Sequence, residues 1–407
     1  MIAEQPVLHN VLILADESAS WRVAGLPQLQ RILLSLNEYA ATSGQAAPVS
    51  VCVSWKPGTP AASRLVVEDP RLSRLEVSDC EAEEGSFDLV LSTHVFLYRN
   101  GIAAILEAGA RADHVTGVTW HERLQDVRRT LRWSADRAAQ AAWQYVADSA
   151  AIPAIERAFL RENGKSQDGL VSRYLNRPIS RSISRLLLKT EIVPSTWSVL
   201  IFSLPLAACV AFLQGTPMSF VIGCVIFQLY SIVDGCDGEI ARSRFMHSDF
   251  GRRLDSLLDL TGNMLLAICL GIGLALHALP SLSLSWFYVA EGIAAAACVI
   301  LSEGIVFLRR SRRDQERTIA PLNGALYQRH HELFHRSGIL VVGENVVWWL
   351  VFMTKRDMAM LAFVILALIG QPEWILHLLL GVGAINSTLA GNAFLRAPAP
   401  AIQQEAS

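Results

Sequence analysis

Eight residues stand at fixed offsets within 234–259, a segment flanked by long apolar runs. They are four carboxylates, two glycines, an alanine and an arginine, namely Asp234, Asp237, Gly238, Ala241, Arg242, Gly251, Asp255 and Asp259. The flanking runs, 217–233 and 254–278, are each near the ~20 residues that a helix needs to cross the hydrocarbon of a bilayer. A carboxylate at the end of such a span is unfavourable unless it is paired, hydrated or bound to a metal. The segment therefore predicts membrane-spanning helices and makes its acids a candidate functional site.

Helical spacing assigns these acids to two faces. Asp234 and Asp237 are three residues apart and share one face of a helix. Asp255 and Asp259 recur at four-residue spacing after Gly251, so they share a face of the next helix. Two adjacent helices would point four carboxylates into one gap, where hard oxygen ligands suit Mg²⁺ or Mn²⁺.

The residues between the acids indicate what such a metal would bind. Gly238, Gly251 and the small Ala241 would let a bulky ligand approach the helix backbones. Arg242 supplies a planar fork of donors suited to phosphate. The pattern predicts a metal-bound phosphate or pyrophosphate substrate.

The segment also resembles a known family. It fills every specified position of D-x2-D-G-x2-A-R-x8-G-x3-D-x3-D, the signature of the CDP-alcohol phosphotransferases. The resemblance implies a membrane enzyme in which an acceptor hydroxyl attacks a CDP-linked donor and CMP leaves, as in phospholipid or polar-lipid biosynthesis. The matching positions are Asp234, Asp237, Gly238, Ala241, Arg242, Gly251, Asp255 and Asp259.

The resemblance assigns roles to these residues. It implies that Asp234, Asp237 and Asp255 hold two divalent cations, Mg²⁺ or Mn²⁺, with Asp259 near them as a fourth metal-site carboxylate and the general base on the acceptor hydroxyl. It also implies a homodimer. The residues expected around the CDP group are Asp234, Gly238, Ala241, Arg242 and Gly251.

Apolar residues are unevenly distributed along the chain. They make up 52% of its 407 residues and concentrate after about residue 192, whereas residues 1–190 have ordinary soluble composition. The net charge of −2 gives no indication of nucleic-acid binding. We predict four parts: an N-terminal domain (1–150), a helical connector (151–192), a membrane domain (193–397) and a C-terminal tail (398–407).

The N-terminal part is predicted to be an α/β, Rossmann-like domain. Residues 7–15, 49–55 and 87–98 are strand candidates, and 26–44 and 101–109 are helix candidates. This alternation favours a mostly parallel sheet covered on both faces. The order resembles the nucleotidyltransferase domain that some CDP-alcohol phosphotransferases carry at their N-terminus.

The catalytic parts of a nucleotidyltransferase are missing from this domain. The stretch after the first strand contains Asp16 and Glu17 where a glycine-rich loop would cradle a triphosphate. Residues 92–94 read Ser-Thr-His where a metal-binding aspartate is expected. We predict a degenerate domain with a docking or regulatory role; the alternative is an active second transferase.

The connector is predicted to be helical. Residues 121–150 are rich in helix formers, and 173–190 form a basic amphipathic segment. Its cations recur every fourth residue, which is compatible with a solvated helix but favours an interfacial helix on anionic headgroups. These cations are Arg173, Arg177, Arg181, Arg185 and Lys189.

Six candidate spans follow, and basic residues are absent from alternate loops between them. This asymmetry predicts cytoplasmic termini and places the aspartates at the cytoplasmic mouth. Segment 337–353, interrupted by Glu344 and Asn345, is predicted to be a partly buried or interfacial helix. The spans are 195–213, 217–233, 254–278, 285–308, 357–371 and 373–395.

The acceptor pocket stays open at this stage. Four arginines at the end of the fourth span could bind an acceptor phosphate or could be topology anchors, and the donor could carry diacylglycerol or a soluble alcohol. These arginines are Arg309, Arg310, Arg312 and Arg313.

Two other functions compete with the transferase. His331, Glu332 and His335 form an H-E-x-x-H pattern, which on a helix can bind zinc with the glutamate as general base. A membrane-associated metalloprotease is therefore an alternative, although a recognisable third ligand is absent. A transporter that uses the aspartates as an ion relay is less compatible with the glycine and arginine pattern around them.

Two expected absences complete the predictions. The seven cysteines have no paired spacing, so no disulfide framework is expected. The N-terminus lacks a basic region followed by an apolar run, so no cleavable signal peptide is expected.

Overall fold

The chain forms two compact units. The first comprises residues 1–163 with 188–190 and 243–245, and the second comprises 164–187, 191–242 and 246–407. The predicted domain limits stay predictions. The computed structural model describes residues 6–45, 47–81, 86–98, 100–108, 119–135, 142–162, 169–278, 282–313, 341, 343 and 355–395.

Strands and helices alternate through the described part of the first unit. The strands are β1 Asn10–Ala15, β2 Arg22–Val23, β3 Leu26–Pro27, β4 Val49–Trp55, β5 Leu75–Asp79, β6 Leu89–Ser92, β7 Val95–Leu97 and β8 Trp143–Tyr145. The α-helices are α1 Gln28–Thr42, α2 Gly101–Glu107, α3 Trp120–Ala135 and α4 Ile152–Glu162. Short 3-10 turns cover Glu17–Ser20, Ala61–Ser63 and Ser149–Ala151.

A four-stranded parallel sheet forms the core of this unit, in the order β5-β4-β1-β6. Strand β1 is apolar along nearly its whole length because a central strand of a parallel sheet is covered on both faces. Leu12 and Ile13 on β1 are buried with Ile32 of α1 and Leu91 of β6. The predicted α/β domain with a parallel sheet is confirmed, and its Rossmann-like detail stays a prediction.

Three local predictions were wrong in detail. The single strand expected over 87–98 is two strands, β6 and β7, separated by a turn at Thr93 and His94. The helix expected from residue 26 begins at Gln28, after β3. Residues 121–150, predicted to be helical from their composition, contain β8, which pairs antiparallel with β7. Tertiary packing explains β8, because Trp143 is buried and its indole Nε1 donates to the Leu131 carbonyl oxygen at 3.2 Å.

The expected absence of disulfides was also wrong. Cys52 on β4 and Cys80, just after β5, form a disulfide with a Cα–Cα distance of 5.6 Å. The parallel register sets Cys52 opposite Ser78, which brings the two cysteines together across 28 residues of sequence.

Reducing this bond is expected to destabilise the first unit by about 3–4 kcal/mol, the loop-closure value for a loop of this length. The measurement is the thermal unfolding midpoint with and without dithiothreitol. The Cys80→Ser variant should unfold earlier without reductant and should not respond to it. The prediction would be wrong if dithiothreitol releases two free thiols at Cys52 and Cys80 and the unfolding midpoint of the wild type does not change.

A histidine–aspartate pair joins the carboxyl ends of the neighbouring strands β1 and β6. His94 Nε2 lies 2.9 Å from Asp16 Oδ2, and His94 Nδ1 lies 2.7 Å from the Val146 carbonyl oxygen. Both ring nitrogens therefore face acceptors, which favours the imidazolium. Burial alone would lower the pKa of His94, but these two hydrogen bonds outweigh burial and raise that pKa. Burial alone would raise the pKa of Asp16, but hydrogen bonds from His94 and Ser18 lower it to about 2.

The stability of the first unit should therefore depend on pH through this pair. Asp16 contributes stability that is present above its unfolded pKa of about 4 and is lost as pH falls towards about 2. His94 contributes stability that is complete below its unfolded pKa of about 6.5 and is lost as pH rises through its raised folded pKa. We expect the unfolding midpoint to fall as the pH rises above about 6.5 in the wild type and to fall less in His94→Gln. Equal pH slopes in the two proteins would contradict this.

Helices make up the described part of the second unit. A π-helical turn at Ser172–Asn176 leads into the first of them. They are α5 Arg177–Leu187, α6 Pro194–Ile201, α7 Ser203–Phe212, α8 Pro217–Ser243, α9 Asp249–His277, α10 Leu282–Arg313, α11 Arg356–Leu368 and α12 Glu373–Leu395.

Four stretches of these helices are long and apolar enough to cross a membrane. They are Pro194–Phe212, which joins α6 and α7, Pro217–Ser243, Asp249–His277 and Ser285–Ser302. The expected fifth span corresponds to α11, whose 13 residues extend about 20 Å against a hydrocarbon thickness of about 30 Å. The helical membrane-type region is confirmed, and the count of six spans stays a prediction.

The basic stripe predicted that the cations of helix α5 point outward, but not all of them do. Arg177 is buried, and the exposed side chains of this segment include Tyr174, Ile179 and Leu186. The polar side chains of Ser180 and Ser184 are also buried. The four-residue repeat of arginine therefore identified one face of the helix but not the direction in which that face points.

Candidate active site

The signature segment folds as the end of one helix and the start of the next. Helix α8 continues from its apolar part through Asp234 and Asp237 without a break. Ser248 caps the N-terminus of α9, because its Oγ accepts a hydrogen bond from the Gly251 backbone N–H at 3.0 Å. The cap fixes where α9 begins, and α9 then carries Asp255 and Asp259 at successive turns.

Three of the four signature carboxylates converge. Asp234 on α8 and Asp255 and Asp259 on α9 each offer an oxygen that lies within 4.8 Å of the others. All three side chains are half-buried. Close carboxylates repel one another unless a cation lies between them, so this arrangement is suited to holding one.

Asp237 is held apart from this trio. Its Oδ2 accepts a hydrogen bond from Ser198 Oγ of α6 at 2.6 Å, and its Oδ1 accepts from the Gly238 backbone N–H. The structure therefore places Asp237 on the same helix end as Asp234 but turned towards the first candidate span.

Two further residues contact the trio, and the sequence analysis did not identify either of them as part of the site. Arg356, the first residue of α11, places Nη1 2.6 Å from Asp259 Oδ1 and 3.6 Å from Asp234 Oδ2. Tyr230 donates its hydroxyl to Asp259 Oδ1 at 3.0 Å. Tyr230 precedes Asp234 by one helical turn, so the spacing contained a signal for it. Arg356 lies far along the chain, and in the sequence it was only one of the basic residues that orient the spans.

The donor set fits a divalent cation. A guanidinium already lies against Asp259 and Asp234, which indicates that a positive charge is stabilised at this point. Arg356 contacts two of the three carboxylates, Asp234 and Asp259. All the ligand atoms are hard oxygens, the type that Mg²⁺ and Mn²⁺ prefer.

The small residues of the signature border the same helix ends. A Cβ at Gly238 would lie 3.0 Å from Arg242 Nη1, so the glycine leaves room for the arginine to fold back over one turn. Ala241 and Gly251 are both half-buried. Gly251 lies in the first turn of α9, where its N–H is used by the Ser248 cap.

The remaining predicted site residues are only partly located. The acceptor-phosphate candidates Arg309, Arg310, Arg312 and Arg313 lie on the last turns of α10. The H-E-x-x-H residues His331, Glu332 and His335 fall outside the described residues, as do the tail 398–407 and all of segment 337–353 except residues 341 and 343.

Taken together, the geometry defines a helical unit with four candidate membrane spans and a carboxylate cluster suited to a metal-bound anion. Residues 191–329 match the family model of the CDP-alcohol phosphatidyltransferases. The match includes all of the signature and the four candidate spans, and it confirms the resemblance.

Curated relatives agree with this match. The chain is similar to proteins named bifunctional IPC transferase and DIPP synthase from three organisms. The identity is 39% over 92 residues for Thermococcus kodakarensis, 40% over 93 for Aquifex aeolicus and 37% over 106 for Rubrobacter xylanophilus. The aligned stretches cover 23%, 23% and 26% of this chain and 20%, 20% and 24% of those proteins.

Proposed function

We propose that this protein is an integral-membrane transferase that moves a substituted phosphate group from a CDP-linked alcohol to an acceptor alcohol and releases CMP. The observation that carries the proposal is the convergence of Asp234, Asp255 and Asp259 at the adjoining ends of two candidate spans. The acceptor oxygen forms a bond to the donor phosphorus, the bond between that phosphorus and CMP breaks, and the hydroxyl proton leaves with the base.

The chain's own residues take distinct parts in this proposal. Asp234, Asp237 and Asp255 hold the metal site, and Asp259 accepts the hydroxyl proton. Tyr230 and Arg356 orient Asp259, because both contact its Oδ1. Two divalent cations, when bound, would supply positive charge to the donor pyrophosphate and the leaving CMP.

The CDP group is proposed to lie against the small residues of α8 and α9. Gly238, Ala241 and Gly251 have small side chains, so a ligand can approach the helix backbones there. Arg242 offers N–H donors to phosphate oxygens. Asp234 borders both this surface and the metal site.

The substrates are proposed more broadly. The relatives are named as bifunctional transferases and synthases, which supports CDP-diacylglycerol or CDP-inositol as donors to test. The arginines at the end of α10 are proposed to bind an acceptor phosphate.

The arrangement in the cell is also a proposal. We infer six spans with both termini in the cytoplasm, a degenerate nucleotidyltransferase-like first unit, and a homodimer. The loops between the spans support this orientation through their distribution of basic residues.

The test is CMP release by the purified, detergent-solubilised protein. Each donor is offered with a panel of alcohols in the presence of Mg²⁺ or Mn²⁺, beside an Asp255→Ala control. We expect metal-dependent CMP that is absent in the control, and the productive pair names the substrates. Absence of CMP with every pair, together with bound zinc that is lost on changing His331, would favour the metalloprotease instead.

A further inference from the structure

Helix α5 packs its polar face against the side of α8 that lies opposite the aspartates. Viewed down the axis of α8, Cys236 and Glu239 are rotated by about 200° and about 140° from Asp234. Cys236 Sγ lies 3.4 Å from the Ser180 carbonyl oxygen of α5. Residues 234–239 of α8 therefore carry candidate metal ligands on one side of the helix and the contact with α5 on the other.

A buried ion pair forms the centre of this contact. Arg177 Nη1 of α5 lies 2.8 Å from Glu239 Oε1, and their side chains are 7% and 0% exposed. Ser180 Oγ donates to the same oxygen at 3.1 Å. The guanidinium also covers Gly235, where a Cβ would lie 3.1 Å from Arg177 Nη1. The pair is thus bound to the helical turn that bears Asp234.

A buried ion pair is an expensive way to join two helices. Apolar side chains of similar volume commonly give equal or greater stability, because two charges lose their hydration on burial. What a charged pair adds is a fixed register, because the guanidinium and the carboxylate meet well in few arrangements. At this place a fixed register means a fixed rotation of α8 about its axis.

We propose that Arg177 and Glu239 are positioning residues, which set the rotation of α8 and so hold Asp234 where it meets the carboxylates of α9. Neither residue touches the reacting groups. The inference rests on the proposed function for its consequence in turnover, but its consequence for metal binding can be measured without any substrate.

The test compares variants that separate positioning from folding. Glu239→Gln keeps the shape of the side chain and removes its charge. The double variant Arg177→Met with Glu239→Leu removes both charges, so no unpaired charge remains buried and folding is retained. Arg173→Met, an exposed arginine just before α5, is the matched cation control. Glu291→Gln, a buried carboxylate that pairs with His377 at 2.6 Å between α10 and α12, is the matched acid control.

Mn²⁺ binding is measured by electron paramagnetic resonance without substrates, and kcat and the Mn²⁺ KM are measured by CMP release. We expect Mn²⁺ affinity to fall about 10-fold or more in Glu239→Gln and in the double variant, the usual range for residues that orient metal ligands. The controls should bind Mn²⁺ as the wild type does. A double variant with wild-type Mn²⁺ affinity and kcat would overturn the inference and show a role in stability only.

The two failures are distinguishable. If the wild type releases CMP and the double variant does so equally at every Mn²⁺ concentration, the positioning role fails while the transferase stands. If the wild type releases no CMP but the variants bind Mn²⁺ more weakly, the transferase fails while the positioning role stands.

Discussion

Replacing Asp259 with asparagine is expected to lower CMP release by about 10²–10⁴-fold, the usual contribution of a general base. Asparagine keeps the size of the side chain. Its amide oxygen can still accept hydrogen bonds from the Tyr230 hydroxyl and the Arg356 guanidinium, but it cannot take the acceptor proton. The measurement is kcat at saturating donor, acceptor and metal. The Mn²⁺ affinity of this variant should be largely unchanged, because Asp234 and Asp255 remain.

Asp255→Asn is the matched comparison. It lies one turn earlier on α9 and in the same trio, but the proposal makes it a metal ligand, so its loss should raise the Mn²⁺ KM as well as lower kcat. If Asp259→Asn retains turnover, the assignment of Asp259 as base is wrong. If instead it loses metal binding as severely as Asp255→Asn, Asp259 acts as a ligand rather than as the base.

The convergence of the trio was predictable because it depends on local geometry. Helical spacing determines that Asp255 and Asp259 share a face, and two long apolar runs joined by a short polar segment place α8 beside α9. The same reasoning did not reveal the neighbour of Asp237. Ser198 Oγ of α6 donates a hydrogen bond to this carboxylate, and no local pattern predicts that contact. The metal-binding role of Asp237 stays a prediction.

Residues that meet through long-range packing were not predictable. Arg356 reaches Asp259 only because α11 packs beside α9, and in the sequence it is one basic residue among several. Arg177 belonged to a regular basic stripe, and only the position of Glu239 on α8 explains why it points inward. Cys52 and Cys80 lie 28 positions apart and meet because of a parallel register that the sequence does not reveal.

The first unit shows the same division. Its apolar strands were recognisable because buried parallel strands are apolar along their length. Strand β8 was not, because its residues follow a helical pattern and form a strand only by pairing with β7. The Asp16–His94 pair was not predictable either, because its two residues come from different parts of the sequence and meet only where β1 and β6 end side by side.

Replacing Arg356 with methionine is expected to make the stability of the second unit depend strongly on divalent metal. The guanidinium of Arg356 contacts the carboxylates of Asp234 and Asp259, whose side chains are 21% and 26% exposed. Without it, the three carboxylates repel one another in a partly desolvated place. We expect the metal-free unfolding midpoint to fall by about 5 °C, which corresponds to about 2 kcal/mol after allowance for partial solvent screening.

Added Mg²⁺ or Mn²⁺ should then restore most of the lost stability, because a ligand that binds only the folded state raises its unfolding midpoint. The rise should be larger in Arg356→Met than in the wild type, where the guanidinium already offsets part of the repulsion. Arg356→Lys keeps the charge and should behave between the two. Arg252→Met, which removes an exposed arginine of α9 paired with Asp249, should respond to metal as the wild type does. An equal metal-induced rise in Arg356→Met and the wild type would mean that the guanidinium does not neutralise the trio, and the cation-binding character assigned to these carboxylates would lose its main electrostatic support.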